Sequence, residues 1–290
     1  MQSNTAEVEF RLATEDDLTA EHAVFVAAEG GLLQRHGFAP PQTSPEGFAR
    51  THRHLLAHDG ERSFVAETQG RVVAFSAAFV RDETWFLSAM FVQPEFQGRG
   101  LGRRLLELSW GGNYAVRLTI TDSIQPLSNG LYAQRGLVPT TPILTLAGES
   151  RTDELSELEP SRPEGDALSS LDRAAYGFER HADHEFWSAG AECTLWLRAG
   201  APVAYCYLSA DGDIGPIAGR DAESSASALR AELARRDGKH ADVCVPGSAR
   251  ELVEVALAAG LRFQSPPGLL LLSPSVQPPR SLAISSYWLL

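Results

Sequence analysis

Residues 92–104 read Val92-Gln93-Pro94-Glu95-Phe96-Gln97-Gly98-Arg99-Gly100-Leu101-Gly102-Arg103-Arg104, and the fold turns on this stretch. Before it, TWFLSAMFV (84–92) is a run of apolar and aromatic residues of strand length. After it, RRLLELSW (103–110) spaces its leucines for one face of a helix, which Gly111-Gly112 stops. The segment is therefore a strand-to-helix turn with glycines at 98, 100 and 102. Glycine permits positive φ and close backbone approach, so successive N–H groups can turn the same way and form an anion nest. The helix N-terminus adds partial positive charge, and Arg99, Arg103 and Arg104 add more. Such a loop suits a pyrophosphate.

The flanking elements exclude two familiar phosphate-binding folds. SFVAET (63–68), a Gln69-Gly70 turn, RVVAFSAAFV (71–80), a turn at Arg81–Glu83 and the strand 84–92 predict an antiparallel meander. A dinucleotide loop would instead follow the first strand of a βαβ unit, and the Gly-Lys-Ser/Thr of a P-loop is missing. Upstream, EVEFRLA (7–13) reads as an opening strand. Thr14 then caps a helix to about residue 35, with Glu15, Asp16 and Asp17 in its first turn and Gly30-Gly31 as a candidate break. A second helix follows within 41–60. Downstream, YAVRLTIT (114–121) is a strand. Asp122 or Ser123 caps the next helix, Gly136 ends it, and VPTTPILTLAG (138–148) closes the unit.

Beyond residue 148 the pattern begins again. Gly70-Arg-Val-Val-Ala-Phe75 aligns with Gly200-Ala-Pro-Val-Ala-Tyr205, each after a short strand, and LYAQRGLVP (131–139) aligns with VALAAGLRF (255–263). Between the copies, GESRTDELSELEPSRPEGD (148–166) reads as a linker or loosely attached segment. The expected organisation is 1–147, a linker at 148–166 and a second copy at 167–290. Hydrophobic residues at 43% and charged residues at 21% fit globular domains. Cys193, Cys206 and Cys244 are scattered through apolar segments and suggest buried strands, not a zinc site or a disulfide framework.

Val92-x-Pro94 followed by Gln97-x-x-Gly100-x-Gly102 matches the (Gln/Arg)-x-x-Gly-x-(Gly/Ala) motif, and at this point the chain resembles the GCN5-related N-acetyltransferase (GNAT) superfamily. The resemblance covers residues 7–147 in motif and element order, and 167–273 in strand order alone. It implies an α/β (α+β) class with two tandem domains, each a mixed, mostly antiparallel sheet flanked by helices. The first would be active and the second degenerate. It also implies acetyl-CoA, or another short acyl-CoA, as co-substrate. Backbone groups of Met90, Phe91 and Val92 would hold the pantetheine arm and the thioester carbonyl. Gln97, Gly98, Arg99, Gly100, Leu101, Gly102 and Arg103 would bind the pyrophosphate. Tyr132, four residues before Gly136, would protonate the departing thiolate. Where many members carry an Asn seven residues before that Tyr, this chain has Gln125; Asn129 lies one turn before Tyr132, and either amide could bond the cofactor's arm, as could Ser128.

The general base stays open among Asp82, Glu83, His36, His52 and His54, with Ser88 able to hold a relay water. In the second copy, Ala256 stands where Tyr132 would be. The segment holding Gly215, Gly219 and Arg220 has no equivalent motif, and Asp221 and Glu223 put negative charge where a phosphate would sit. That copy is expected to close the acceptor pocket, orient the first domain or mediate a homodimer. His181 and His184 share a helix face without further converging ligands, so no metal is expected, and the helix reads as solvated. Tyr176 and Phe178 are candidates for lining an acceptor cavity. A net charge of −12 argues against a nucleic-acid backbone and favours a cationic small-molecule or peptide amine. With neither a signal-like start nor a membrane-length apolar run, the chain reads as cytoplasmic, away from membranes. The reading from a different class is a non-catalytic acyl-CoA sensor.

Overall fold

The computed structural model describes residues 7–41, 43–152, 156–264 and 266–290. The chain divides into two compact units, residues 1–80 with 84–117, and residues 81–83 with 118–290.

In the first unit, β1 (Glu9–Leu12), β2 (Phe64–Thr68), β3 (Arg71–Arg81) and β4 (Thr84–Val92) lie in that order. β1 pairs antiparallel with β2, and β2 with β3. Helices α1 (Leu18–Arg35), α2 (Pro45–Asp59) and α3 (Leu101–Ser109) complete it. Gly30-Gly31 does not break α1. Burial of Leu32 and Leu33, at about 1.5–3 kcal/mol each, outweighs about 1 kcal/mol of helix propensity lost per glycine. Leu101 and Leu105 of α3 pack on Ala66, Val73 and Ala74, which seats the loop's helix on the sheet.

The second unit holds β5 (Val116–Asp122, from Leu118 onward), α4 (Pro126–Gln134), β6 (Val138–Glu149), β7 (Glu159–Ser161), α5 (Ala167–Ala175), α6 (His181–Ser188), β8 (Ala191–Arg198) and β9 (Ala201–Ser209). β10 (Asp213–Gly219), α7 (Ala222–Arg235), β11 (His240–Pro246), α8 (Arg250–Ala258), β12 (Arg262–Phe263), β13 (Gly268–Leu272) and β14 (Leu282–Ala283) follow. Strand order is β5-β13-β6-β11-β10-β9-β8-β7, with β12 on β6 and β14 on β10. β10–β11 is parallel, and the other recorded pairs in this unit are antiparallel. The class is thus the expected one, a mixed, mostly antiparallel sheet flanked by helices.

The division between compact units falls at 117/118 and not within 148–166. β6 does not close the first half. Its first part pairs with β13, from near the end of the chain, and its second part pairs with β11. Strand pairing therefore carries residues 118–149 into the second unit. Nor are the described residues of 148–166 loose. Ser150 is buried, donates its N–H to Lys239 O and its hydroxyl to Leu233 O, and Leu158 sits in the second core. The expected linker also includes 153–155, which lie outside the described residues. As sequence copies, 1–147 and 167–290 remain our proposal.

The segments aligned in sequence also match in backbone detail. Gln69-Gly70 (φ 51° and 73°) and Ala199-Gly200 (φ 51° and 76°) make matching two-residue turns with both φ positive, the mirror-type turn that suits strand twist. Each hairpin is bulged at the same distance before its turn, between Ala66 and Glu67 and between Trp196 and Leu197. Helices α4 and α8 end alike. Leu137 N–H donates to Tyr132 O and Gly136 N–H to Ala133 O; Leu261 N–H donates to Ala256 O and Gly260 N–H to Leu257 O.

Candidate functional site

The glycine loop is a built turn. Gln93 N–H donates to Val73 O at 2.9 Å, anchoring the end of β4 on β3. Pro94–Phe96 form one 3-10 turn, and Gly98 (φ 76°) and Gly100 (φ 85°) take the left-handed conformation. A Cβ at either would meet nothing within 4 Å, so these glycines serve backbone conformation on an open face and not tight packing. Gly100 is the N-cap of α3, and the first helical bond runs from Arg104 N–H to Gly100 O. The N–H groups of Leu101, Gly102 and Arg103 precede it and have no intrahelical acceptor. They are the donors an anion would use.

Two of the expected phosphate ligands have other work. Gln97 donates Nε2–H to Val92 O at 3.0 Å and its N–H to Pro94 O, so it latches the loop to the strand. Arg99 donates to Glu95 O at 2.8 Å and lies over the Phe96 ring at 5.1 Å. Arg103 and Arg104 are exposed on the first turn of α3. Arg71 pairs with Glu95 at 2.8 Å. Glu95's own backbone N–H, then Arg71, holds that carboxyl below its usual range. The neighbouring carboxylate is thus matched by Arg71, Arg104 lies 3.6 Å from Glu107, and Arg103 adds its charge to the helix end. Met90, Phe91 and Val92 end β4 half-buried, with the Phe91 ring edge-on to Phe25 at 5.1 Å and stacked with Phe75 at 5.6 Å.

In the second unit, α4 carries the remaining candidates. Its N-cap is Gln125, not Asp122 or Ser123, and Gln125 Oε1 accepts Leu127 N–H at 3.4 Å. Pro126 has no N–H, so the cap reaches the next donor. The Gln125 oxygen thus serves its own helix, and Asn129 stands one turn further on. Asn129 Nδ2 donates to Ser123 O at 3.3 Å, while its Oδ1 is buried with no hydrogen-bond partner among the described residues. One turn on, Tyr132 is 4% exposed. Burial pushes its phenol well above the ordinary value, with a hydrogen bond to Ser128 acting the other way, so the proton stays on at neutral pH.

The candidate bases are placed differently from one another. His36 is exposed and its Nδ1 faces Leu32 O at 3.0 Å. His54 stands against His58 on α2, ring centroids 4.8 Å apart. Asp82 Oδ2 accepts Glu179 N–H at 3.1 Å, Glu83 is exposed, and Ser88 is buried. His52 is buried with Nδ1 3.4 Å from Glu21 Oε2, its ring stacked on Phe48 at 3.9 Å and edge-on to Phe75 at 5.5 Å. Sequence reasoning named His52 and missed Glu21. The signal was a carboxylate on the apolar face of α1, between Leu18 and Val24.

Helix α6 is not the solvated helix expected. Asp183, His184 and Trp187 are buried. His184 uses both ring nitrogens, Nε2 on Asp172 Oδ2 at 2.8 Å and Nδ1 on the Tyr207 hydroxyl at 3.0 Å, while His181 pairs with Glu179. Among the described residues no three His, Cys, Asp or Glu side chains cluster for a metal. Tyr176 and Phe178 belong to packing and not to a cavity. Arg180 lies 3.4 Å over the Tyr176 ring, and Phe178 is 3% exposed.

Comparison with known proteins bears on this geometry. The family model described as the acetyltransferase (GNAT) family matches residues 32–136, which span the loop, α3 and α4. An uncharacterized N-acetyltransferase of Archaeoglobus fulgidus is 31% identical over 110 residues, 34% of this chain and 69% of the relative. The chain belongs to the GNAT acetyltransferase family. Among solved structures, a presumed acetyltransferase of Pyrococcus horikoshii matches with a TM-score of 0.77 at 17% identity, over 100% of this chain and 99% of that one. A GCN5-related N-acetyltransferase of Sphaerobacter thermophilus matches at 0.65 and 16% identity, over 93% and 97%. A tandem GNAT protein of the clavulanic acid biosynthesis pathway matches at 0.59 and 16% identity, over 92% and 98%. At such identities these three report fold: the GNAT likeness extends along both halves of the chain. No helix among the described residues is long and apolar enough to cross a membrane.

Proposed function

We propose that this GNAT acetyltransferase moves an acetyl group from acetyl-CoA to a primary amine on a small molecule or peptide, by direct attack. The observation that carries the reading is the loop. Two left-handed glycines open to one side, three N–H groups precede the first helical bond, and two exposed arginines stand on that turn. The residues fit a pyrophosphate. The buried, unsatisfied Asn129 Oδ1 fits an amide N–H donor such as a pantetheine arm carries.

The co-substrate supplies an activated thioester: a C–N bond forms, the C–S bond breaks, the amine nitrogen loses a proton and the sulfur gains one. This chain's part is to bind, orient and manage those protons. Main-chain groups of Met90–Val92 would hold the arm and polarise the carbonyl. Leu101–Arg103 would take the pyrophosphate, with Gln97 fixing the loop that presents them. Tyr132 would donate a hydrogen bond to the departing sulfur. A phenol pushed above its usual value of about 10 is a poor net acid towards a thiol of about 8.5. Its contribution is therefore to steady the developing thiolate, and the balancing proton comes ultimately from the acceptor ammonium.

Calorimetry of acetyl-CoA binding tests the reading. Wild type should bind about one equivalent per chain, and a folded Gly100→Glu protein should bind none. A wild type that binds no acyl-CoA would sink the proposal. Tyr132→Phe separates enzyme from sensor, since turnover should fall while affinity for acetyl-CoA is kept.

A further inference from the structure

The second half carries a strand that the repeat does not account for. β10 and β11 form a wedge. They pair in parallel at Asp213-Ile214 against Asp242-Val243. Further along, β10 pairs with β14 instead, Ile217 opposite Ala283 and Ala218 opposite Leu282. On the other side Ile284 bridges to Cys244 of β11, donating its N–H to Cys244 O at 2.9 Å. The chain's own residues 282–284 thus lie in the opening between two strands that no longer pair with each other.

The main chain of this segment is held along its length. Ser281 O accepts the Gly219 N–H at 3.0 Å and the Ser225 hydroxyl at 2.7 Å, at the end of β10 and the first turn of α7. Ala283 O accepts the Tyr176 hydroxyl at 2.8 Å. Leu289 O accepts from the Ser285 hydroxyl at 2.6 Å and from Ser286 N–H at 3.2 Å, and Arg180, buried on Asp172, donates to Leu290 O. Leu282, Ala283, Ile284 and Leu289 are each at most 2% exposed. The wedge is shaped for this guest. A Cβ on Gly215 would lie 2.6 Å from Ile284 O, closer than packing allows, so the segment adds a steric demand to that of the glycine's own φ of 154°.

We propose that residues 281–290 are a built-in occupant of the place along Ile217–Gly219 that corresponds, in the second copy, to the arm-holding Met90–Val92 of the first. The peptide takes, by main-chain pairing, the place a pantetheine arm would take in this fold, and the Ser281 carbonyl sits on the donors at the start of α7. The wedge is accordingly a strand-accepting groove, selective for an extended apolar peptide over an acyl-CoA. This rests on the second half being a copy of the same fold and is independent of whether the first half is active.

The decisive experiment uses the chain ending at Arg280 together with a synthetic peptide of sequence SLAISSYWLL. The shortened chain should melt at least about 5 °C below the full chain and bind the peptide one to one with recovery of that loss. Acetyl-CoA should not substitute for the peptide, and acetyl-CoA stoichiometry should be the same in both chains. Unchanged melting without peptide binding, or a second equivalent of acetyl-CoA bound by the shortened chain, overturns the proposal. The full-length Ile284→Pro variant, lacking the N–H that bonds Cys244, covers the case in which the shortened chain fails to fold. Its Gly219 amide should exchange at least tenfold faster while amides of α4 keep their rates, and an unchanged Gly219 overturns the inference.

Discussion

Two stretches, each leading from a strand into a helix, make the sharpest contrast in the molecule. In the first, residues 93–100 connect β4 to α3; in the second, Arg220 and Asp221 alone connect β10 to α7. The anchors are the same kind, Gln93 N–H on Val73 O and Arg220 N–H on Val203 O, both at 2.9 Å. What differs is what caps the helix. Gly100 offers the N–H groups of α3 no side-chain cap, whereas Asp221 accepts Ser224 N–H at 2.7 Å and caps α7 from within. That bond is the first cause of Asp221's lowered pKa. The second stretch does not merely lack the motif; its helix end is closed by its own carboxylate. Architecture common to both copies serves folding, and features confined to the first are candidates for chemistry.

The largest expected effect comes from making the first copy resemble the second. Gly100→Asp would place a capping carboxylate where the phosphate should bind, and Asp tolerates left-handed backbone better than most residues. Acetyl-CoA affinity should fall about 100-fold with the melting temperature nearly kept, since one charge-assisted contact of about 1.5–3 kcal/mol corresponds to about 10- to 150-fold. The converse, Asp221→Gly, should create no second site. Calorimetric stoichiometry reads both, and retained binding by Gly100→Asp would remove the loop from the site.

The next contrast concerns a feature both copies keep. Glu21–His52 and Asp172–His184 each join a carboxylate on one helix to an imidazole on the next. In both, the imidazole stands edge-on to the aromatic at matching places of the repeat, Phe75 at 5.5 Å and Tyr205 at 5.3 Å. Burial works to raise the Asp172 carboxyl, but Arg180, His184 and Tyr205 outweigh it and hold it low. A dyad retained by a copy without loop or phenol is a structural device. Asp172→Ala should cost about 3–5 kcal/mol by leaving Arg180 buried and unpaired. His52→Gln should cost about 1–3 kcal/mol while kcat per folded molecule and its pH profile stay put. A His52→Gln profile that loses its acidic limb, together with most of kcat, would instead make His52 the general base.

Tyr132 and Ala256 end their helices with the same pair of bonds yet differ in the one group that can donate a hydrogen bond. Tyr132→Phe should lower kcat about 100-fold, near 2.7 kcal/mol, without changing the dissociation constant for acetyl-CoA. Steady-state kinetics beside calorimetry separates the two, and an unaltered kcat would return Tyr132 to packing.

These contrasts also mark what a sequence can carry. The loop, the two hairpins and the ends of α4 and α8 were legible because each depends on local chemistry: glycine at positive φ, turn residues, apolar period. Gln97 is legible as part of the loop, but the reach of its amide back to Val92 O is a matter of three-dimensional distance that the sequence does not carry. The insertion of β13 between β5 and β6, and of β14 beside β10, was not legible. The strands Gly268–Leu272 and Leu282–Ala283 are short apolar runs that would pair equally well with many edges, and only tertiary context selects one. In the same way the helix of His181 and His184 reads as solvated until burial of His184 against Asp172 reveals the network.

The smallest effect tests the wedge from the side of charge. Asp213 and Asp242 stand opposite each other where β10 and β11 still pair in parallel, and burial, then Asp213, raises Asp242 to about 6. His240 opposes that rise. The folded value lies above the unfolded value of about 3.9, so the folded state binds more protons between the two. The stability linked to Asp242 is therefore fully present below about pH 4 and is lost as pH rises through about 6. The residue is half-buried, and solvent screening reduces the effect to about 1 kcal/mol. Asp242→Asn should therefore gain about 1 kcal/mol at pH 7.5 and nothing at about pH 4, read from urea unfolding at the two pH values. Equal gains at both would mean that Asp242 titrates alike in the folded and unfolded states, and that neither its burial nor Asp213 bears on stability.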